Sequence, residues 1–270
     1  MSGPLRLERD GDVAVVVLDN PPLNLFDDLV FEELERIAGE LAALTAPGRE
    51  GRARAVLFEA RGRHVSGGVD VGLFQEIAEG PQAVARGTAL WARLLRAAQT
   101  IEDLPVPTVF AAHGLTLTAA FELSLACDIL LAAESASFGL VEIVVGLTPS
   151  MGGPQRLAER AGPARAKELI FTGERHPAAV LERWNVVNRV LPDDGFAEAA
   201  RDYARRVAAG PTVAHAATKR LVTTAVRDGV RAADELTPSL SGALFATDDL
   251  RGAVRSFLAD GPGKATYTGR

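Results

Sequence analysis

The sequence predicts an α/β fold that ends in a helical region. Short apolar runs typical of strands alternate with longer stretches of helical periodicity as far as about residue 195. Three helix-like stretches follow without a convincing strand between them. Alternating strands and helices are typical of a layered α/β domain. We therefore expect a core of residues 1–195 and a helical region of residues 196–270.

The first elements are predicted to be a β-hairpin and a long helix. Residues 5–9 and 13–18 are predicted strands, because Asp10-Gly11 between them has the chemistry of a tight hairpin turn. Asn20-Pro21-Pro22 ends the second strand. Helical spacing then covers residues 28–44. Its apolar face is expected to contain Leu29, Leu34, Ile37, Leu41 and Leu44.

The middle of the chain continues the alternation. Residues 55–59 are a predicted buried strand that leads into a glycine-dense turn at residues 61–70. A helix is predicted over residues 82–101, and Pro105-Val106-Pro107 separates it from a strand at residues 108–112. The helical region is predicted to contain helices at residues 196–208, 213–226 and 231–258, with a further break near Thr237-Pro238.

The composition is that of an ordinary soluble enzyme. Hydrophobic residues make up 47% of the 270 residues and charged residues 24%. The net charge of −6 argues against a general nucleic-acid binder, which normally carries a basic face. A single cysteine, Cys127, precludes an internal disulfide, and we expect it to be a buried, inert thiol. With no membrane-spanning run and no signal-peptide pattern, the expected setting is cytoplasmic.

Two carboxylates and one glycine-rich turn are the features that indicate chemistry. Glu122 and Glu142 lie among apolar residues, so at least one of them should have a raised pKa and could exchange a proton near neutral pH. The alternative is that either pairs with an arginine at a helix end. The turn at residues 61–70 could aim backbone N–H groups at a developing oxyanion, although it could also be an ordinary tight turn.

Other motifs indicate less. The four histidines lack metal-ligand spacing, so we predict no metal site. The phosphate-binding glycine motifs and the G-x-S-x-G nucleophile turn do not occur. Asp70 is better placed as a helix cap than as a reacting group, and Arg156 is expected to pair within the fold.

The ordered motifs resemble the crotonase superfamily of enoyl-CoA hydratases and isomerases, over nearly the whole chain. The segment Ser66-Gly67-Gly68-Val69-Asp70 is similar to the family's first oxyanion segment. His113-Gly114, Phe121-Glu122-Leu123 and Ala126-Cys127-Asp128 are similar to its second. Phe138-Gly139 with Glu142, and the stretch from Gly152-Gly153 to Leu157, resemble its next signature.

The resemblance implies a fold, a site and an assembly. The fold is a spiral of repeated β-β-α units with the helical region appended, and residues 196–270 then build the interface of a homotrimer or a dimer of trimers. The amides of Val69 and Ala119 form the oxyanion hole for an acyl-CoA thioester, while Glu122 activates water and Glu142 serves the α carbon. No cofactor is implied beyond the coenzyme A of the substrate. The implied substrate-binding residues are Ser66, Gly67, Gly68, Asp70 and Gly114.

The chain departs from the family pattern in several places. Thr118-Ala119-Ala120 stands where glycines are usual, Val141 replaces a common proline, and Val69 is bulkier than the usual alanine. A lysine that often binds the nucleotide end of coenzyme A is missing after Asp70. The basic side chains left as candidates for the phosphates are Arg61, Arg63 and Lys264.

The expected activity is hydration of a trans-2-enoyl-CoA to a 3-hydroxyacyl-CoA. Double-bond isomerisation through the same enolate is the nearest alternative, since one glutamate could suffice for it. A non-catalytic acyl-CoA binder is the alternative of a different class, if Thr118-Ala119-Ala120 spoils the oxyanion geometry.

Overall fold

The computed structural model describes residues 3–270, and its strands form two sheets. The strands are β1 (Leu5–Asp10), β2 (Val13–Leu18), β3 (Ala55–Ala60), β4 (Thr108–Ala112), β5 (Leu115–Leu117), β6 (Ile129–Ala133), β7 (Ser137–Gly139), β8 (His176–Pro177) and β9 (Arg189–Leu191). The six-stranded sheet has the order β1-β2-β3-β4-β6-β9, and the three-stranded sheet has the order β5-β7-β8. The predicted strands at the start and middle of the chain are confirmed.

Helices connect and cover these sheets. They are α1 (Asp28–Thr45), α2 (Val71–Glu79), α3 (Ala83–Glu102), α4 (Ala119–Leu125), α5 (Gly153–Ala161), α6 (Pro163–Thr172), α7 (Ala178–Arg183), α8 (Phe196–Ala208), α9 (Thr212–Asp228), α10 (Val230–Leu244) and α11 (Asp248–Asp260). A 3₁₀ helix spans Glu142–Val145. Within residues 3–270, no helix combines the length and apolar character needed to cross a membrane.

The large sheet is parallel except at its first pair. β1 and β2 form an antiparallel hairpin, and β2, β3, β4, β6 and β9 then run parallel to their neighbours. All six residues of β2 are buried, as expected for a parallel strand covered on both faces. Gly11 adopts φ +57° in the hairpin turn, a conformation that glycine allows without steric cost. The parallel strands therefore place their carboxyl ends, and the loops that follow, along one edge.

The apolar face of α1 agrees with the prediction at Leu34, Ile37 and Leu41 but not at Leu29. The buried face contains Val30, Phe31, Leu34, Ile37, Ala38 and Leu41. Leu29 is 52% exposed, so its assignment to that face is wrong. The helix packs against β1 and α3, and Leu29 in its first turn stays largely exposed to solvent.

The C-terminal region contains four helices where three were predicted. The proposed break at Thr237-Pro238 is wrong, because Pro238 lies inside α10. The chain breaks instead after Leu244, and Thr247 caps α11 by accepting a hydrogen bond from the Leu250 amide at 3.2 Å. The residues Thr247-Asp248-Asp249 carry the cap and first-turn acids that favour a helix start.

The helical region contacts the core in two ways. α8 packs against β2, β3 and β4, and Arg201 of α8 forms a two-pronged ion pair with Glu59 at 2.6 and 2.9 Å. α9 and α10 pack chiefly on each other, while Lys219 of α9 reaches Asp128 at 2.8 Å. The first two C-terminal helices, α8 and α9, thus contact the core directly.

Candidate active site

The segment predicted to supply the first oxyanion amide, residues 66–70, is hydrogen-bonded to the chain before α1 at several points. The Phe26 amide donates to the Gly68 carbonyl at 2.9 Å, and the Asp70 amide donates to the Phe26 carbonyl at 3.0 Å. Val69 lies between these two bonds, so its own N–H points to the opposite side of the segment. Among the described residues no acceptor is found for the Val69 amide. It is therefore available to a ligand.

Ser66 fixes the shape of this segment from inside the protein. Its hydroxyl donates to the Asn24 carbonyl at 2.7 Å and accepts from the Gly68 amide at 3.0 Å. The side chain is fully buried, so the structure gives it a supporting place behind the loop. Gly68 adopts φ +119°, which a residue with a side chain rarely does. Asp70 caps α2 by accepting from the Gly72 amide at 2.9 Å, which confirms the predicted cap.

The segment predicted to supply the second oxyanion amide begins with a strained threonine. Thr118 adopts φ +49° and ψ −122°, which is unfavourable for a β-branched residue. Its amide donates to the Gly139 carbonyl at 2.9 Å. The strained turn starts α4 at Ala119, whose N–H has no acceptor within the helix and none elsewhere in residues 3–270.

The side chain of Thr118 joins the two segments. A Cβ added to Gly68 would lie 3.2 Å from Thr118 Oγ1, so the threonine occupies the space beside that glycine. The hydroxyl is buried and has no hydrogen-bond partner in the described part of the chain. Thr118 directly precedes Ala119 and Gly68 directly precedes Val69, so this contact brings the two segments together. The amides of Val69 and Ala119 both remain without an acceptor in residues 3–270.

Glu122 lies one turn into α4 and receives three backbone hydrogen bonds. The amides of Met151 and Gly153 donate to Oε2 at 2.8 and 2.7 Å, and the Ser150 amide donates to Oε1 at 3.2 Å. We call these three N–H groups the amide cradle. Burial raises the pKa of Glu122 to about 7, and the cradle amides and the Arg156 charge oppose that rise. Donors of this kind favour the ionised carboxylate.

Glu142 is the first residue of the 3₁₀ helix that follows β7. Its side chain is buried, and Oε2 has no partner among the described residues. Burial raises the pKa of Glu142 to about 8, and the charge of Glu122 adds to the rise. Since Glu142 lacks the donors that Glu122 has, Glu122 loses its proton first. The prediction that at least one carboxyl has a raised pKa is confirmed for both.

The loop that contains Gly152 and Gly153 binds the Glu122 carboxylate, and this contact was not predicted from the sequence. A Cβ on Gly153 would lie 2.8 Å from both Cγ and Oε2 of Glu122, so glycine is needed there for close approach. The pair Gly152-Gly153 was the available signal in the sequence. Every residue except proline has a backbone amide, so the sequence does not show which amides donate to Glu122. The position of this loop beside α4 is seen only in the folded structure.

The remaining candidate residues lie at the sheet edge or at the surface. Arg61, Arg63 and Gly114 line a groove of about 640 Å³ together with His64 and His113. Arg61 also pairs with Glu59 at 3.3 Å. Gly114 lies tightly against the Arg63 carbonyl, since a Cβ there would overlap it at 2.2 Å. Lys264 is exposed in the segment after α11.

The single thiol is buried, and His64 is hydrogen-bonded within the fold. Cys127 is buried, and burial raises its pKa to about 12, as expected for an inert thiol. It follows the C-terminal end of α4 rather than lying within a strand. His64 accepts a hydrogen bond from the Leu115 amide at 3.1 Å. Within residues 3–270, no three His, Cys, Asp or Glu side chains are grouped to hold a metal ion.

Comparison with known proteins places the fold and the motifs in one family. The model of the family described as enoyl-CoA hydratase/isomerase matches residues 8–267. The chain is 28% identical over 256 residues to a protein of Clostridium acetobutylicum named short-chain-enoyl-CoA hydratase, covering 93% of each chain. A crystal structure of enoyl-CoA hydratase from Bacillus anthracis superposes with a TM-score of 0.86 at 26% identity, covering 99% of this chain and 100% of that one. The chain therefore belongs to the enoyl-CoA hydratase/isomerase family.

Proposed function

We propose that the protein is an enoyl-CoA hydratase that adds water to a trans-2-enoyl-CoA and forms a 3-hydroxyacyl-CoA. The observation that carries this proposal is the unequal pair of buried carboxyls. Glu122 is held by three amide donors, whereas Glu142 has a carboxyl oxygen with no partner among the described residues. Hydration needs one proton acceptor and one proton donor, and the pair supplies both near neutral pH.

The oxyanion hole supplies the second requirement. Attack of water on the β carbon shifts electron density onto the thioester oxygen, and that oxygen needs hydrogen-bond donors in the transition state. The amides of Val69 and Ala119 are the proposed donors, because neither has an acceptor in the described chain. Loss of one such donor typically costs roughly 3 to 4 kcal/mol of transition-state stabilisation.

The proposed reaction transfers one proton from water to Glu122 and one proton from Glu142 to the substrate. Glu122 removes a proton from water while the water oxygen bonds to the β carbon. The electron pair of the carbon–carbon double bond forms an enolate, whose oxygen lies in the oxyanion hole. Glu142 then donates its proton to the α carbon, giving syn addition of H and OH. Glu122 ends protonated and Glu142 ionised, and proton exchange with solvent restores the starting state.

The substrate contacts of the remaining residues are part of the same proposal. We place the acyl-CoA thioester along Gly67, Gly68 and Gly114, with Ser66 and Asp70 fixing the loop and the start of α2. Arg61, Arg63 and Lys264 are the proposed contacts of the coenzyme A phosphates, and the reaction needs no further cofactor. The cytoplasmic setting predicted from the sequence stays a prediction.

The C-terminal helices support self-association. α10 and α11, with the turn between them, expose large apolar side chains in this chain, among them Val230, Phe245, Val254, Phe257 and Leu258. We propose that residues 196–270 form the interface of a homotrimer or a dimer of trimers, and that residues 1–195 carry the site. Light scattering of the purified protein should give a mass three or six times the 28.5 kDa of one chain.

The function is tested by mixing purified protein with crotonyl-CoA. Hydration removes the absorbance of the conjugated enoyl thioester and gives 3-hydroxybutyryl-CoA, which mass spectrometry identifies by the added water. An isomerase would instead act on a 3-enoyl-CoA, with a gain of the same absorbance and no change in mass. A binder would retain either ligand without turnover. Either of the last two results would overturn the hydratase proposal.

A further inference from the structure

A buried arginine holds the loop that carries the amide cradle. Arg156 of α5 is 9% exposed, and its Nη1 donates to the carbonyls of Met151 and Gly152 at 3.3 and 3.4 Å. Gly152 adopts φ +95°, and a Cβ there would lie 1.9 Å from Arg156 Nη1. The guanidinium therefore takes the space that a side chain at position 152 would need.

The other edge of the same guanidinium is anchored in α3. Nε and Nη2 of Arg156 donate to the two carboxylate oxygens of Glu102 at 3.2 and 2.7 Å. A two-pronged pair of this kind fixes the plane of the guanidinium as well as its distance. Arg227 of α9 donates to Glu102 Oε2 at 2.9 Å, so the anchor is itself held from the C-terminal helices.

The two sets of contacts meet on one short peptide segment. Met151 accepts from Arg156 through its carbonyl and donates to Glu122 through its amide. The Gly153 amide, which belongs to the peptide unit of the Gly152 carbonyl, donates to the same carboxylate oxygen. Rotation of the Gly152–Gly153 peptide plane would break both of its contacts at once, because the Gly152 C=O and the Gly153 N–H share that rigid plane. The Met151 carbonyl lies in the adjacent peptide unit, so Arg156 holds two successive peptide units of the loop.

We infer that Arg156 is a positioning residue that holds the amide cradle against Glu122 and so keeps that carboxyl ready to accept a proton. This inference rests on the proposed function in taking Glu122 as the base. Arg156 acts through the loop and touches no reacting atom. Its counterpart on the same helix is Arg160, which is half-buried and donates to the carbonyls of Leu125, Cys127 and Val186, away from the cradle.

The charge of Arg156 acts in the same direction as the cradle. The charged groups that face Glu122 are Arg156 from α5, which lowers its pKa, and Glu142 from the 3₁₀ helix, whose own pKa is raised by Glu122. Removing Arg156 takes away the favourable charge and frees the loop carbonyls together. Both changes favour the protonated form of Glu122, so its pKa should rise.

The test compares Arg156→Met with the matched control Arg160→Met. Protein labelled with ¹³C at the glutamate carboxyl carbons is titrated by NMR, with Glu122→Gln identifying the Glu122 resonance. We expect Arg156→Met to raise the pKa of Glu122 by about one unit or more, and Arg160→Met to leave it unchanged. In the hydration assay, the acidic limb of kcat/KM should move by the same amount, and kcat should fall about tenfold with little change in KM.

The inference is overturned if Arg156→Met and Arg160→Met titrate like the wild type, because a merely structural arginine would lower stability without moving that pKa. Should Arg156→Met fail to fold, Arg156→Gln replaces it in the same titration, since its amide can still serve one loop carbonyl. The NMR titration needs no turnover. A wild type that does not hydrate crotonyl-CoA but shows the shift in Arg156→Met would thus overturn the proposed function alone.

Discussion

Glu122 and Glu142 are the same residue type and both are buried, yet their hydrogen-bond partners differ. Glu122 accepts hydrogen bonds from the amides of Ser150, Met151 and Gly153. Glu142 has a buried oxygen without a partner among the described residues, and the charge of Glu122 adds to its raised pKa. Burial makes both carboxyls weaker acids, and the backbone donors decide which of them ionises first.

The difference shows how one site can hold a base and an acid at one pH. Two carboxyls in identical surroundings would have the same pKa, whereas unequal hydrogen-bond donors make their pKa values differ. A proton acceptor and a proton donor are then present together near neutral pH, where the interacting pair titrates in two steps.

The largest expected effect comes from removing the base. Glu122→Gln keeps the size of the side chain but cannot accept a proton from water, and its amide N–H₂ would face the cradle donors. We expect kcat for crotonyl-CoA hydration to fall about a thousandfold. The loss of enoyl absorbance measures it. A variant that retains more than a tenth of wild-type turnover would show that Glu122 is not the base.

A smaller effect should follow from displacing the same carboxylate without changing its chemistry. The Cβ in Gly153→Ala would lie 2.8 Å from Glu122 Oε2, so the side chain must shift out of the cradle. We expect kcat to fall about a hundredfold, as a displacement near 1 Å can do. Gly39→Ala is the matched control, since its added Cβ meets nothing within 4 Å. Equal activity of the two variants would mean that the cradle does not position Glu122.

Per pH unit, the smallest expected effect is on stability, and it isolates Glu142. Its pKa of about 8 in the folded chain exceeds the ordinary value of 4.5, so the folded protein keeps a proton that the unfolded chain releases. The resulting stabilisation is complete at low pH and is lost as pH rises towards 8. Relative to Glu142→Gln, the free energy of unfolding of the wild type should fall by at most about 1.4 kcal/mol per pH unit within that window.

Urea unfolding at the two ends of the window measures this difference. Glu134→Gln is the control, because Glu134 is exposed on the turn after β6. The unfolding free energy of this variant should change with pH as that of the wild type does. A constant difference in unfolding free energy between wild type and Glu142→Gln would mean that Glu142 ionises alike in the folded and unfolded chains.

Much of the fold could be predicted from the sequence because local patterns specified it. The turn composition at Asp10-Gly11 predicted the hairpin, and apolar spacing predicted α1, α3 and β4. The prediction failed where local rules compete with packing. Pro238 normally ends a helix, but α10 continues through it while packed along α9. Leu29 fits the helical spacing, yet no neighbouring element covers it.

The candidate site, like the fold, could be predicted from the sequence only in part. Apolar neighbours in the sequence were sufficient to predict a raised pKa for a glutamate, and the glycine-rich turn indicated free amides. The cradle could not be predicted, because it consists of backbone N–H groups brought to α4 from a loop about thirty residues later. Thr118 likewise looked like a departure from a glycine pattern, and only the fold shows that it adopts positive φ and lies against Gly68.

The pH dependence of kcat/KM for crotonyl-CoA, in wild type and in Glu142→Gln, tests the division of roles most directly. A base that must be ionised and an acid that must be protonated predict a bell whose limbs lie near the pKa values of about 7 and about 8. The residual activity of Glu142→Gln should keep the rising limb and lose the falling one. A falling limb that persists unchanged in Glu142→Gln would contradict the assignment of Glu142 as the proton donor.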